Sequence, residues 1–320
     1  MDIFLQLLLF VLGFVLLIKG ASFLVDGSSG IARRMKVSET MIGMTVVAFG
    51  TSMPELFIAI QSFASGNTDL TLGDIIGCVI SNILLILGIA AVIRPIKIRK
   101  GTIKKEIPFY FFVIGSFVAL TLSARLRGAP MGRIDGGILV LLFVAFLGLI
   151  FWLARRRKGS EAEPARKNKK AEAKLWVYIL MTLGGIVSVI VGSYLVVDLA
   201  AKIAAEFGIS ERMIAITIVA MGTSLPELIT AITAAKKNKQ ELLIGDAIGG
   251  NIFNICVVLG LPILVYGSLD VANFEIFDLV MVLIAALMLF ITTRKEHIIT
   301  RSEGVLMLTI FAIYYATIII

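Results

Sequence analysis

The sequence predicts an all-α polytopic membrane protein of ten transmembrane helices, arranged as two inverted five-helix repeats. Three observations carry this. First, the chain of 320 residues is 58% hydrophobic, against about 45–50% for a soluble domain. The excess falls in stretches of about 20 residues, the helix length that crosses about 30 Å of hydrocarbon. Second, two motif-rich stretches recur at one fixed offset of 172 residues. Third, basic residues crowd alternate loops. A β-barrel is disfavoured, because its strands would alternate apolar and polar residues.

The spans fall at 3–25, 38–62, 71–93, 107–124, 134–154, 175–197, 210–234, 243–266, 276–293 and 303–320. The first opens on Met1-Asp2, with no basic leader and no small-residue cleavage site, and reads as a retained span. Residues 1–154 make the first repeat and 175–320 the second. Between them, "RRRKGSEAEPARKNKKAEAK" at 155–174 is charged and without hydrophobic periodicity, so it reads as a cytoplasmic linker.

The net charge of +8 follows from topology and not from nucleic-acid binding. Of the 30 Lys and Arg residues, 24 fall in loops on one side of the predicted membrane and five on the other. The positive-inside rule makes the basic side cytoplasmic, which puts both termini outside a cell membrane. Lys19 lies near the cytoplasmic end of span 1 and reads as a snorkelling residue. Cys78 and Cys256 are the two cysteines, both in apolar segments, so no disulfide framework is expected.

The repeat is dense around its polar residues. "MTVVAFGTSMPELFIAI" at 44–60 matches "ITIVAMGTSLPELITAI" at 216–232 in 11 of 17 positions. "GDIIGCVISNILLILG" at 73–88 matches "GDAIGGNIFNICVVLG" at 245–260 in 9 of 16. Gly13 and Gly20 meet Gly185 and Gly192 at the same offset, and read as packing surface. Five spans per half is an odd number, so the second half enters the membrane from the opposite side. Inverted repeats are typical of secondary transporters, with the site near the midplane.

Pro54 lacks an N–H and its ring crowds the carbonyl of Gly50. Backbone oxygens around Ala48, Phe49, Gly50 and Thr51 are therefore expected to leave the helical ladder, and in lipid they need a partner. Thr51 and Ser52 add hydroxyls, and Glu55 adds a carboxylate. Ala220, Gly222, Thr223, Ser224, Pro226 and Glu227 supply the same set again. All of these donors are oxygen, which suits Ca²⁺, Na⁺ or Mg²⁺, and the flexible mixed set suits Ca²⁺ better than Mg²⁺. An intramembrane carboxylate is a functional candidate by default, and its duplication strengthens that reading. A kink with satisfied carbonyls is the plain alternative. Asn82 and Asn254 can add amide oxygens, or serve as interhelical glue. Asp74 lies roughly 12 Å along a helix from Asn82. Asp74 and Asp246 therefore read as entrance or proton-linked groups, or as helix-start caps.

The paired motifs Gly50-Thr-Ser-Met-Pro-Glu55 and Gly222-Thr-Ser-Leu-Pro-Glu227 resemble the two α-repeats of the cation/Ca²⁺ exchanger superfamily, and most of all the prokaryotic Na⁺/Ca²⁺ exchangers. "GDIIGCVISN" and "GDAIGGNIFN" resemble the second part of each repeat. The resemblance implies that spans 2, 3, 7 and 8 form a central ion cluster, across which spans 1 and 6 slide. It implies that Glu55 and Glu227 ligate Ca²⁺ with the carbonyls of Thr51 and Thr223. Ser52, Ser224 and the carbonyls of Ala48 and Ala220 would serve Na⁺ together with the two glutamates, and Asn82 and Asn254 would line the middle. Three residues depart from the pattern: Cys78 and Gly250 stand where Na⁺-coupled relatives carry serine, and Asn254 stands where many carry aspartate. The last disfavours K⁺ dependence, and the first two open proton coupling as an alternative. Desolvation favours the neutral form of a carboxyl, so the two glutamates are candidate proton carriers.

The expected function is therefore Ca²⁺ export in exchange for Na⁺ by alternating access. A H⁺-coupled or K⁺-assisted exchanger is the alternative, and a channel fits the inverted repeat less well. The partners are small cations and the bilayer, with no permanently bound cofactor, and a monomer is compatible with the pattern. An enzyme is not expected, since there is no P-loop and the one histidine, His297, falls in a predicted loop.

Overall fold

The computed structural model describes residues 3–66, 68–157, 173–206, 222–271, 275–295 and 297–319. The helices in chain order are α1 (Ile3–Met35), α2 (Glu39–Thr51), α3 (Met53–Ala64), α4 (Thr71–Ile93), α5 (Lys100–Leu126) and α6 (Arg133–Arg157), then α7 (Leu175–Glu206), α8 (Leu225–Lys236), α9 (Gln240–Tyr266), α10 (Ile276–Lys295) and α11 (Arg301–Ile319). Seven of these are long and apolar enough to cross a membrane, or eight if the bent pair α2–α3 is one span. The chain is thus an all-helical integral membrane protein. The linker expected at 155–174 and the first half of the span expected at 210–234 lie largely outside the described residues.

Local chemistry explains the ends of these helices. Ser38 caps α2, its hydroxyl accepting from the Met41 N–H at 3.2 Å. Thr300 and Glu303 form a capping box at α11: the Glu303 carboxylate accepts from the Thr300 N–H at 2.8 Å, and the Thr300 hydroxyl accepts from the Glu303 N–H. Gly267 ends α9 at φ 110°, a left-handed conformation that costs glycine nothing.

Burial sorts the helices into layers. The apolar windows of α4 and α9 are 72% and 78% inside, against 33% for α1 and α7. A helix that is apolar all round belongs in the centre, so α4 and α9 form the core, while α1 and α7 offer much of their surface to lipid. Two short antiparallel strand pairs tie the halves together. They are β1 (Ile96–Lys97) with β4 (Ile298–Ile299), and β2 (Met131–Gly132) with β3 (Ser268–Leu269).

The glycines expected to pack do so. A Cβ on Gly20 would meet Ser188 and the Gly185 carbonyl, and a Cβ on Gly13 would meet Val196 and the Gly192 carbonyl. The residue numbers rise on α1 as they fall on α7, so these helices run antiparallel in close backbone contact. In the core, Gly245 and Gly249 let α9 approach the backbone of α2 at Thr40 and Met44. Asp26 of α1 also holds Lys237, just past α8, at 2.6 Å.

Gly185→Val should lower the thermal unfolding midpoint in detergent by several degrees. Its Cβ would sit 2.5 Å from the Leu24 nitrogen, and overpacking costs about 1–3 kcal/mol. Gly184→Val should not, because a Cβ there meets nothing within 4 Å. Equal melting of the two variants would contradict the seam.

Candidate functional site: an oxygen-lined cluster between the halves

The backbone breaks where proline and glycine predict. Ser52 leaves helical geometry at φ −87°, ψ 13°, and α3 departs from α2 at 47°. Ser224 repeats the break at φ −84°, ψ 2°. Pro54 and Pro226 occupy the first turn of the helices that follow, where a missing N–H costs least. The end of α2 thus aims carbonyl oxygens, the negative end of its dipole, at the break. π-helical turns at Gly43–Val47, Ser81–Leu87 and Asn254–Leu259 widen the neighbouring backbone, a feature frequent at functional sites.

The break frees fewer oxygens than the sequence suggests. The Ala48 carbonyl still accepts from the Ser52 N–H at 3.1 Å. It remains in the ladder because the helix runs unbroken to Thr51. The Gly222 carbonyl, which Pro226 cannot bond, accepts from the Ser193 hydroxyl of α7 at 3.0 Å. The position equivalent to Ser193 in the first half is Ala21, which has no hydroxyl. Ala220 lies outside the described residues.

Side chains of the two halves meet across the centre. The Ser52 hydroxyl faces the Glu227 carboxylate at 3.5 Å, and the Thr51 hydroxyl faces Asp246 at 3.5 Å. Thr223 faces Asp74 at 3.4 Å. These contacts are long for O–H···O bonds, whose mode is about 2.7–2.8 Å. Neighbouring oxygens around one octahedrally bound Ca²⁺, each about 2.4 Å from the ion, would sit about 3.4 Å apart. Glu55 is 1% exposed, and among the described residues no donor reaches either of its oxygens. One oxygen of Glu227 and the amide oxygen of Asn254 are likewise buried without a donor. A buried carboxylate without partners is costly, and a cation is the partner this arrangement lacks. Among the described residues no group of three or more His, Cys, Asp or Glu side chains stands in metal-holding geometry. A cation here must therefore draw on hydroxyl, amide and backbone oxygens as well.

Asp74 and Asp246 sit one step from the break, each against a threonine of the other half. The two differ in access: Asp246 is 6% exposed, and Asp74 is half-buried. Thr51 and Ser52 are buried, whereas Thr223 and Ser224 are half-buried. The cluster is closed on one face and more open on the other.

Sequence reasoning missed Asn251 and Tyr110. Asn82 donates to Asn251 at 2.8 Å. Asn251 in turn donates to the Val79 carbonyl and to the Tyr110 hydroxyl, both at 3.2 Å. Val79 is the residue equivalent to Asn251 in the other repeat. That mismatch, an amide facing a valine within a conserved register, was the available signal. Asn254, equivalent to Asn82, is left out of this chain of bonds.

A sequence model of the sodium/calcium exchanger protein family matches residues 5–152 and 177–320. The chain belongs to the sodium/calcium exchanger family. Within it, the chain is 35% identical to inner membrane protein YrbG of Escherichia coli K12 over 318 residues, 96% of this chain and 95% of that one. It is 28% identical to sodium/calcium exchanger MaX1 of Methanosarcina acetivorans over 340 aligned positions, 96% of each chain. The fold matches a solved structure of the sodium-calcium exchanger NCX_Mj with a TM-score of 0.83 at 33% identity, covering 98% of this chain and 99% of that one. Family and fold make this exchanger an integral multi-pass membrane protein that handles small cations.

Asn251→Ala should destabilise the exchanger by about 1–3 kcal/mol, because it leaves Asn82 without an acceptor. Tyr110→Phe removes one neutral bond and should cost about 0.5–1.5 kcal/mol. Unfolding in detergent measures both. The reverse order would show that the amide chain is not what orders Asn82.

Proposed function

We propose that the protein is a secondary antiporter that exports Ca²⁺ in exchange for Na⁺ by alternating access. The observation that carries this reading is the pair of buried carboxylates, Glu55 and Glu227, whose unpartnered oxygens come from opposite halves. Together they carry the charge that balances one Ca²⁺. In this reading Thr51 and Thr223 complete the Ca²⁺ ligands through their carbonyls. Ser52, Ser224 and the carbonyls of Ala48 and Ala220 serve Na⁺, and Asn82 and Asn254 line the middle. Asp74 and Asp246 guard the two entrances.

The full architecture we propose has ten spans in two inverted repeats, 1–154 and 175–320, joined by a cytoplasmic linker, with both termini outside. The antiparallel contact of α1 with α7, its repeat equivalent, supports the inversion. The glycine seam between them supports sliding of this pair across the core. Asp74 lies on the side of the loops with few basic residues, so its greater exposure favours an outward-open cluster.

Proton coupling is the second reading, favoured by the donors at two positions. The Cys78 thiol lies 3.7 Å from the Ser224 hydroxyl, and a thiol is a poor ligand for a hard cation. Gly250 has no side chain, yet a Cβ there would stand 3.6 Å from Asn82 and 3.7 Å from Ser52, in ordinary contact. A serine at either place would add an oxygen to the cluster.

Proteoliposomes loaded with Na⁺ should take up ⁴⁵Ca. Uptake driven by a pH gradient and never by a Na⁺ gradient would replace the first reading with the second. Glu55→Gln and Glu227→Gln should each abolish exchange while the protein still elutes as a folded species, and near-normal transport in either would refute the ligand assignment. The double replacement Cys78→Ser with Gly250→Ser should strengthen Na⁺ dependence; unchanged dependence would count against the role given to these positions.

A further inference from the structure

Lys237, just past α8, sends its ammonium to one face of α1. Its Nζ donates to the Asp26 carboxylate at 2.6 Å, to the Ser22 hydroxyl at 2.6 Å and to the Ser22 carbonyl at 3.2 Å. Three acceptors thus meet at one nitrogen, from residues four apart on a single helix face. The glycines of α1 point elsewhere: a Cβ on Gly20, Gly27 or Gly30 would meet α7. One face of α1 therefore packs on its repeat equivalent, and another is held from the end of α8. At the same end of α1, Arg34 donates from Nε and Nη2 to the Ala173 carbonyl, at 3.0 and 2.8 Å, just ahead of α7. What holds α1 here also holds the start of α7.

A half-exposed ion pair is commonly worth little, and that is the plain reading of this one. The repeat argues against it. Asp198 stands 172 positions after Asp26, and Lys202 of its own helix holds it at 2.7 Å. The residue equivalent to Lys202 is Gly30, so Asp26 has no cation one turn on. The residue equivalent to Lys237 is Ser65, whose hydroxyl donates to the Ser62 carbonyl at 3.0 Å. Both members of the pair are thus rerouted in the other half. There the charges close within one helix; here they cross from α1 to the end of α8. Two further ion pairs of this face, Lys239 with Glu39 and Arg99 with Glu241, join the start of α9 to α2 and to the lead into α5. Near the crossing, the Ser28 and Ser29 hydroxyls are buried without a partner among the described residues, a cost that works against this docked position of α1.

We propose that Lys237, Asp26 and Ser22 form a one-sided latch, which holds the basic-side end of α1 on α8 in the access state seen here and opens before the α1–α7 pair can cross the core. Its role in access rests on the alternating access proposed above, whereas its hold on α1 does not. The cluster is more open toward Asp74, on the side of few basic residues, so a closed latch belongs with a closed basic side. In the other half the equivalent carboxylate is satisfied within α7. The latch therefore biases the resting protein toward the state open on the Asp74 side, without touching an ion ligand. Apparent affinity falls with the fraction of protein in the competent state, so the bias weakens apparent binding from the basic side.

Two measurements on the full-length protein test this. In detergent, hydrogen–deuterium exchange of residues 22–35 should quicken in Asp26→Asn and in Lys237→Gln by roughly two- to fivefold, the span of a partly exposed ion pair. The charge swap Asp26→Lys with Lys237→Asp should restore it. Lys202→Gln, which opens the pair inside α7, should leave it unchanged. Deuterium exchange that does not change in the single variants, or that the swap does not restore, overturns the latch. In membrane vesicles of opposite orientation, each single variant should half-saturate ⁴⁵Ca uptake from the basic side at a Ca²⁺ concentration roughly two- to fivefold lower. The value from the Asp74 side should not fall. A pair that merely stiffens α1 would shift both sides alike or neither, and either result overturns its role in access. No uptake by the unmodified protein sinks the antiport reading, while swap-restored deuterium exchange would still leave the hold on α1 standing. Normal uptake with unchanged deuterium exchange does the reverse.

Discussion

Two carboxylates are held in the middle of an apolar bundle with too few donors to satisfy them, and much of the structure can be read from that constraint. Glu55 and Glu227 each sit in the first turn of a helix that starts after a break. The break exists because glycine weakens the helix and proline cannot extend it backwards. Burying such a site in lipid requires surrounding helices that leave no irregular backbone exposed. The two most buried spans, α4 and α9, do this, and they join Asn82 to Asn251 across the halves. The unmet acceptors are then a standing demand for positive charge, which a mobile cation can meet and a fixed lysine would cancel permanently.

The two halves share a plan but differ at the points where a symmetric cluster would be least useful. Asn251 spans the centre to Asn82, while its counterpart Val79 offers only a carbonyl. Ser193 covers the oxygen released by Pro226, while Ala21 leaves its equivalent without that hydroxyl. One aspartate is sealed and the other half-open. The alternating access proposed above needs two states that differ in contacts, because a ligand can shift an equilibrium only by its differential affinity for the states. These asymmetries are local polar contacts laid on a common backbone.

Donor softness adds a further layer. Hydroxyl, amide and carboxylate oxygens favour hard cations, whereas one sulfur at Cys78 changes that preference on one face only. Gly250 does the opposite by contributing no donor, although the space beside Ser52 and Asn82 would admit one. In the antiport reading proposed above, ion choice would be set by these few atoms.

Much of this was legible in the sequence, because its signals are local or strictly periodic. Apolar length marks the spans, and the 172-residue offset marks the repeat. Gly-Thr-Ser-x-Pro-Glu marks the break and its charge. Proline's ring forces the break, and hydrocarbon thickness sets the apolar length, wherever the segments sit. Which oxygens stay free was decided by the folded helices. The Ala48 carbonyl kept its local helical partner, whereas the Gly222 carbonyl found Ser193 on another helix, a tertiary contact. The partnership of Asn82 with Asn251, the placing of Asp74 and Asp246 against the opposite threonines, and the contact of Cys78 with Ser224 all join residues more than 140 positions apart. A linear pattern can say that a polar group must be satisfied. Which neighbour satisfies it depends on how the two halves pack face to face, and that is set by backbone approach at glycines such as Gly245 and Gly249.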